Sequence, residues 1–189
     1  MPLTTLDPNM ALIVIDLQKG IVGSSFVHPI ADVISRNRAL IDAFRAQQLP
    51  VVLVNVAGRA PGRTEQPPRL PAMPEGWTDL IPELDRQPGD IVLTKRTWGA
   101  FTYTDLDVQL KSKGVTQVVI AGVATGTGVE STARQAYECG FTVTLAIDAM
   151  TDARHEAHTY SVTNVLPRLG ETGTTQQIID LLEARRISQ

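Results

Sequence analysis

The sequence of 189 residues has a single cysteine, Cys139, so no disulfide can form within the chain. It also lacks a basic excess. Seventeen Lys and Arg stand against 20 Asp and Glu, for a net charge of −3. A nucleic-acid partner would want a basic face for its phosphates, so none is expected. Long apolar runs are missing too. The longest are strand-sized, far short of a membrane span, so no membrane partner is expected. The opening MPLTTLDPNM has no basic segment leading into an apolar stretch, and no signal peptide is read there. One thiol and no leader fit a reducing, cytoplasmic location.

What is present is ordinary globular usage: 43% hydrophobic and 20% charged residues. The length suits one domain, 1–189, with one sizeable core.

Apolar runs alternate with helical patterns. Met10–Ile15 (MALIVI) predicts a strand that ends at Asp16. Ile30–Gln48 carries Ile34, Ala39, Leu40, Ala43 and Phe44 at helical spacing. Pro50 opens a second strand, Val51–Val56, and Asp90 a third, Ile91–Lys95. Thr104–Lys113 reads as a helix closed by Gly114, Gln117–Ala121 as a buried strand, and Val129–Cys139 as a helix stopping at Gly140. The β-branched run Phe141–Ile147 predicts a fifth strand. Thr175 is expected to cap a last helix through Arg186, with Ile178, Ile179, Leu181 and Leu182 facing inward.

Strands buried on both faces and separated by helices imply an α/β fold with a parallel sheet and right-handed crossovers. Ligands of such sheets sit beyond the carboxyl ends of the strands. That rule selects Asp16, Asn55, Lys95 and the loop Gly122–Gly128, each directly after its strand. Ala57–Trp77 breaks the rhythm. It is rich in Pro, Gly and Arg (Pro61, Pro67, Pro68, Pro71 and Pro74 with Arg59, Arg63 and Arg69) and reads as a lid, a binding loop or a partner contact.

A carboxylate ending an apolar strand is costly to bury unless paired. Asp16 is therefore either a cap on the next turn or a functional acid. Lys95 either snorkels to water or meets an anion inside. Two opposite charges at one sheet edge say more than either alone, because a buried ion pair is weak evidence for stability. In AGVATGTGVESTARQA, Ala121–Ala136, a strand turns into a helix through a Gly-rich loop. Such a loop either leaves N–H groups free for an anion or merely permits the turn.

The three stretches ALIVIDLQKG, VLTKRTWGAF and VVIAGVATGTGVESTARQAYECGF, in this order, resemble the isochorismatase-like (cysteine hydrolase) superfamily. The resemblance runs from about the first strand to the last helix. It implies a three-layer α/β/α fold with a doubly wound, mostly parallel six-stranded sheet. It also implies a site built from Asp, Lys and usually Cys. By motif match, Asp16 is the acid and Lys95 its partner. The family loop often holds a non-proline cis peptide, which here would join Val123 and Ala124.

Gly128 stands where most of the family carries its nucleophilic cysteine, and Cys139 lies a helix away. Without that nucleophile the thioester route of the family's amidases is closed. The isochorismatases proper are similar in having Gly there. They cleave a vinyl ether, with no covalent intermediate, to pyruvate and a dihydrodiol acid. Acid protonation of the terminal carbon followed by water suffices for that reaction. Burial would raise the pKa of Asp16 and Lys95 would lower it, and both outcomes stay open. An aromatic residue follows the Gly-Val of the loop in those enzymes, whereas Ala124 follows it here.

Further candidates for substrate contact are Gln18, Asn55, Arg59, Arg63, Trp98, Phe101, Val123, Ala124 and Thr125. Each has a bland alternative. Gln18 could instead hold the turn, Asn55 could orient Asp16, the arginines could be solvated, and Trp98 and Phe101 could only pack. The nicotinamidase branch places Asp-x-His after the second strand, where this chain reads NVAGRAPGR. No catalytic metal and no cofactor are therefore expected, and His155 and His158 are read as surface or interface residues. The leading expectation is a hydrolase for a small, carboxylate-bearing metabolite. Its rivals are an amide or ester hydrolase with water activated by Asp16, and a catalytically silent binding protein. The resemblance also implies a homodimer or homotetramer.

Overall fold

The computed structural model describes residues 3–66 and 73–187. Pro67, Pro68, Arg69 and Pro71 of the Pro/Arg-rich stretch lie outside the described residues. The apolar runs form β1 (Met10–Ile15), β2 (Val51–Val56), β3 (Ile91–Lys95), β4 (Gln117–Val123) and β5 (Thr142–Thr151), and a short β6 (Glu171–Gly173) joins them. They make one sheet in the order β3-β2-β1-β4-β5-β6. Every pairing is parallel, so the sheet is fully rather than mostly parallel. The helices are α1 (Lys19–Val22), α2 (Ile30–Ala46), α3 (Leu106–Ser112), α4 (Glu130–Glu138), α5 (His155–Tyr160) and α6 (Thr175–Ile187).

Side chains along β1 alternate between two cores. Met10, Leu12 and Val14 pack with Val33, Leu40, Ile41 and Phe44 of α2 and with Ile178 and Leu182 of α6. Ala11, Ile13 and Ile15 pack on the other face with Leu106 and Leu110 of α3 and Ala133 and Ala136 of α4. This period-two sorting of one apolar strand makes the three layers. All six residues of β1 and all seven of β4 are buried, as expected of central parallel strands.

Strand order reverses between β1 and β4, so the crevice of a doubly wound sheet opens at their carboxyl ends. Two local features depart from expectation. Strand β5 runs on to Thr151, with a register shift against β4 between Ile120 and Gly122. Thr174, not Thr175, caps α6. Its hydroxyl accepts the Gln177 N–H at 3.2 Å, and Gln177 Oε1 accepts the Thr174 N–H at 2.9 Å. The hydroxyl and N–H of Thr175 go to Asp148 instead.

Candidate active site

Asp16 follows the last residue of β1 directly and sits at the crevice. Its N–H donates to the Val54 carbonyl, and its backbone is left-handed, with φ 53°. Few residues tolerate that region, though Asp does so better than most. Lys95 ends β3, two strands away, and its stem crosses the end of β2. Its Nζ donates to Asp16 Oδ2 at 2.7 Å and to the Thr97 carbonyl at 3.3 Å. Asp16 is 5% exposed and Lys95 1%. The second carboxyl oxygen, Oδ1, is buried with no hydrogen-bond partner.

The two opposing influences on Asp16 now have an order. Burial raises its pKa, the Lys95 charge and hydrogen bond lower it, and burial prevails, taking the carboxyl from 3.8 up to about 6. Such a group exchanges a proton near neutral pH, which an ordinary aspartate does not.

The loop after β4 brings in Gly128. The Val123–Ala124 bond is cis, as the family likeness implied, and a π-helical turn over Thr125–Val129 leads into α4. Gly122 has φ 107°, and a side chain there would run into the Ile15 backbone. At Gly128 an added Cβ would lie 3.0 Å from Ile15 Cγ2, 3.2 Å from Asp16 Oδ2 and 3.3 Å from the Val123 carbonyl. A side chain at position 128 would thus press on Ile15 and on the Asp16 oxygen that Lys95 holds, and glycine spares the carboxylate that crowding. The loop offers fewer free donors than expected. The N–H of Gly126 goes to Asp152 Oδ2 at 2.8 Å, and those of Thr127 and Val129 go to the Ala124 carbonyl.

Asp16, Lys95 and Gly128 therefore converge. Most of the other candidates do not join them. Gln18 is fully buried. Its Nε2 donates to the carbonyls of Val56 and Trp77, both at 3.1 Å, and its Oε1 accepts the Val56 N–H at 2.7 Å. Both donors are spent on backbone, so it holds the turn rather than a substrate. Asn55 donates to the Thr78 carbonyl at 2.7 Å, not to Asp16, and its Oδ1 is buried without a partner. Arg59 and Arg63 are exposed on the loop after β2. Trp98 is 65% exposed. Phe101 packs on Phe141, ring centroids 5.9 Å apart, in the core under α3 and α4. Val123 is buried in the α2-side core with Ala124 against it. Thr125 is buried, and its hydroxyl meets His158 Nδ1 at 2.9 Å.

The long loop is tied down at its far end. Trp77 packs on Gly20, and its carbonyl accepts the Gly20 N–H. Asp79 takes the Lys19 N–H, and Leu80 bridges to Gln18. Cys139 caps the far end of α4, half-buried, and burial raises its thiol pKa, away from a reactive thiolate. His155 is exposed, as expected, but His158 is half-buried and faces His28 and Thr125. Among the described residues no group of three or more His, Cys, Asp or Glu is placed to hold a metal. No helix among them is long and apolar enough to cross a membrane.

Two residues without an evident sequence signal support the loops. Asp152 receives the N–H groups of Gly126 and Arg154. Gln135 of α4 accepts the Phe101 N–H and donates to the Thr102 hydroxyl, pinning the segment after β3. Asp152 could have been found by the same end-of-strand rule that selected Asp16, had β5 been carried to Thr151.

A doubly wound parallel sheet with a buried carboxylate–ammonium pair at its switch point defines a class of small-molecule enzyme. Comparison with known proteins makes it specific. The isochorismatase domain matches residues 10–177, and the chain belongs to the isochorismatase family of hydrolases. It is 37% identical to the isochorismatase family protein YwoC of Bacillus subtilis over 177 residues, covering 90% of this chain and 92% of that protein. It is 34% identical to the ureidoacrylate amidohydrolase RutB of Pantoea ananatis, over 78% of this chain and 69% of that one. The solved structure of an isochorismatase family protein from Burkholderia thailandensis is 42% identical and superposes with a TM-score of 0.91, over 95% of this chain and 98% of that one.

Proposed function

We propose that this hydrolase acts on a small, carboxylate-bearing metabolite without a covalent cysteine intermediate, with Asp16 moving the proton and Lys95 as its electrostatic partner. One observation carries this reading: a buried Asp16 carboxyl accepts from Lys95 through Oδ2 at 2.7 Å, keeps Oδ1 without a partner, and lies against Gly128, where a Cβ would stand only 3.2 Å from Oδ2. With its pKa near 6, Asp16 can be the acid for a vinyl ether of the isochorismate type. It would give its proton to the terminal carbon. Water would then add to the oxocarbenium ion, and the hemiketal would part into a ketone and an alcohol. A substrate carboxylate near Lys95 would weaken the attraction that lowers the Asp16 pKa, keeping the acid protonated.

The 34% identity to a protein named ureidoacrylate amidohydrolase favours a second reading, amide or ester hydrolysis. In it, ionised Asp16 would take a proton from the attacking water. The two routes have opposite pH profiles. The acid route loses rate as pH rises through about 6, and the base route loses rate as pH falls through about 6.

The test is an assay of isochorismate, simple enol ethers, amides and esters over pH 4.5–8.5, with wild type and Asp16→Asn. Loss of about 10²–10⁴-fold in the variant is expected, the usual worth of a general acid or base. Equal turnover by the two proteins would refute Asp16, and an acyl-enzyme trapped with hydroxylamine would refute both non-covalent routes. Ligand affinity with no turnover of any substrate would leave the binding-protein reading standing.

A further inference from the structure

Away from the Asp16–Lys95 pair, four pieces of chain meet at two histidines. His28 lies in the segment between α1 and α2, and His158 lies on α5. Their ring centroids are 4.7 Å apart in an edge-to-face arrangement. Each ring leans on a threonine through Nδ1. His158 meets Thr125 at 2.9 Å, in the first turn of the Gly-rich loop, and His28 meets Thr151 at 3.0 Å, at the end of β5. The same junction is stitched by the backbone. Val27 N–H donates to the Asp152 carbonyl at 2.9 Å, and Gly126 N–H donates to Asp152 Oδ2 at 2.8 Å.

We propose that His28 and His158 form a proton-operated latch, closed while His158 is neutral, that holds the 24–28 segment and α5 against the loop carrying Gly128. Two neutral imidazoles at this spacing attract as an edge-to-face pair. Two imidazolium ions at the same spacing repel. Charge brought onto His158, which His28 opposes, therefore drives the segment and α5 apart, and the Thr125 contact loosens with them. Asp152 at the end of β5 favours a protonated His158, whereas His28 and His155 oppose it. Glu130 of α4 faces the same loop and is held by the Ser161 hydroxyl, and Arg154 precedes α5. Burial acts in the same direction as the neighbouring histidines and lowers the His158 pKa, which keeps the latch shut near pH 7.

Nothing in this rests on the catalytic roles proposed above, and its test needs no substrate. Histidine Cε1–H resonances and backbone amide exchange would be followed by NMR from pH 7.5 to 5, with rates corrected for intrinsic pH dependence. In wild type, protection at Val27 and Gly126 should fall at least tenfold as His158 takes up its proton. His158→Gln keeps a hydrogen-bonding group for Thr125 and cannot titrate, so its protection should stay flat. His28→Gln should move the His158 midpoint upward. Asp16→Asn controls for the Asp16 carboxyl, whose pKa of about 6 falls in this range, and should behave as wild type. Protection that is flat in wild type, or that falls equally in His158→Gln, would overturn the latch. A fall abolished by Asp16→Asn would assign it to the acid instead and overturn the latch as well. If His158→Gln does not fold, the His28→Gln variant takes its place, and an unmoved His158 midpoint there would overturn the latch.

Discussion

Three costs coincide at Asp16: a left-handed backbone, a carboxyl removed from water, and one oxygen with no partner. Each is of order 1–3 kcal/mol, and together they are unusual for a residue that only packs. Lys95 offsets part of the second cost, and the residue-scale prediction follows from how. Lys95→Met keeps the stem and deletes the ammonium, which removes both influences that lower the Asp16 pKa. The carboxyl then titrates above about 6. At pH 5 the variant holds a neutral acid and loses little. At pH 8 it holds an unpaired buried charge, so its stability deficit should grow by at least about 1 kcal/mol between those pH values. Urea unfolding at both would show it. A deficit equal at pH 5 and pH 8 would mean that Lys95 does not sustain the Asp16 charge.

Elements position this pair through backbone contacts that leave faint marks in sequence. Gln18 ties the turn after β1 to the end of β2 and to Trp77 by three hydrogen bonds. Gln18→Ala would strand the Val56 N–H and take one of its two donors from the Trp77 carbonyl, for a loss of about 1–3 kcal/mol. Trp77 fluorescence, read in a Trp98→Phe background, should report a wetter ring before global unfolding. An unchanged emission and midpoint would make the amide dispensable. The site was legible where one strand speaks for itself. Apolar runs ending in Asp16 and Lys95 located both charges, because parallel strands put their last residues at one edge. Three other features were not legible. Strand β6, Glu171–Gly173, has no apolar run and pairs only through its backbone at the sheet edge. The partners of Gln18 lie 38 and 59 residues away, so its role depends on a fold not yet known. Phe101 follows Lys95 closely in sequence yet turns to Phe141, with its own N–H held by Gln135 of α4.

At the scale of the molecule, Asp16 and His158 set stability against pH in opposite directions. The folded chain raises the pKa of Asp16, so it binds that proton more tightly than the unfolded chain does. Stability from Asp16 is full below 3.8 and is lost as pH rises through about 6. The folded chain lowers the pKa of His158, so stability from the neutral ring is full above about 6.5 and is lost as pH falls through the folded value. The two slopes therefore oppose each other in the wild type, and each is read alone only in variants. A rise of the Asp16 pKa from 3.8 to about 6 corresponds to about 3 kcal/mol. Relative to Asp16→Asn, the wild type should thus become less stable by roughly that amount between pH 3.5 and pH 8. The pH-independent offset from losing the Lys95 partner cancels in that comparison. His158→Gln should tilt the curve the other way by removing the acid-side loss. Urea titrations of the three proteins across this range decide it: parallel curves for wild type and Asp16→Asn would mean that the fold leaves this carboxyl at its ordinary proton affinity, and the acid route would then have no acid near neutral pH.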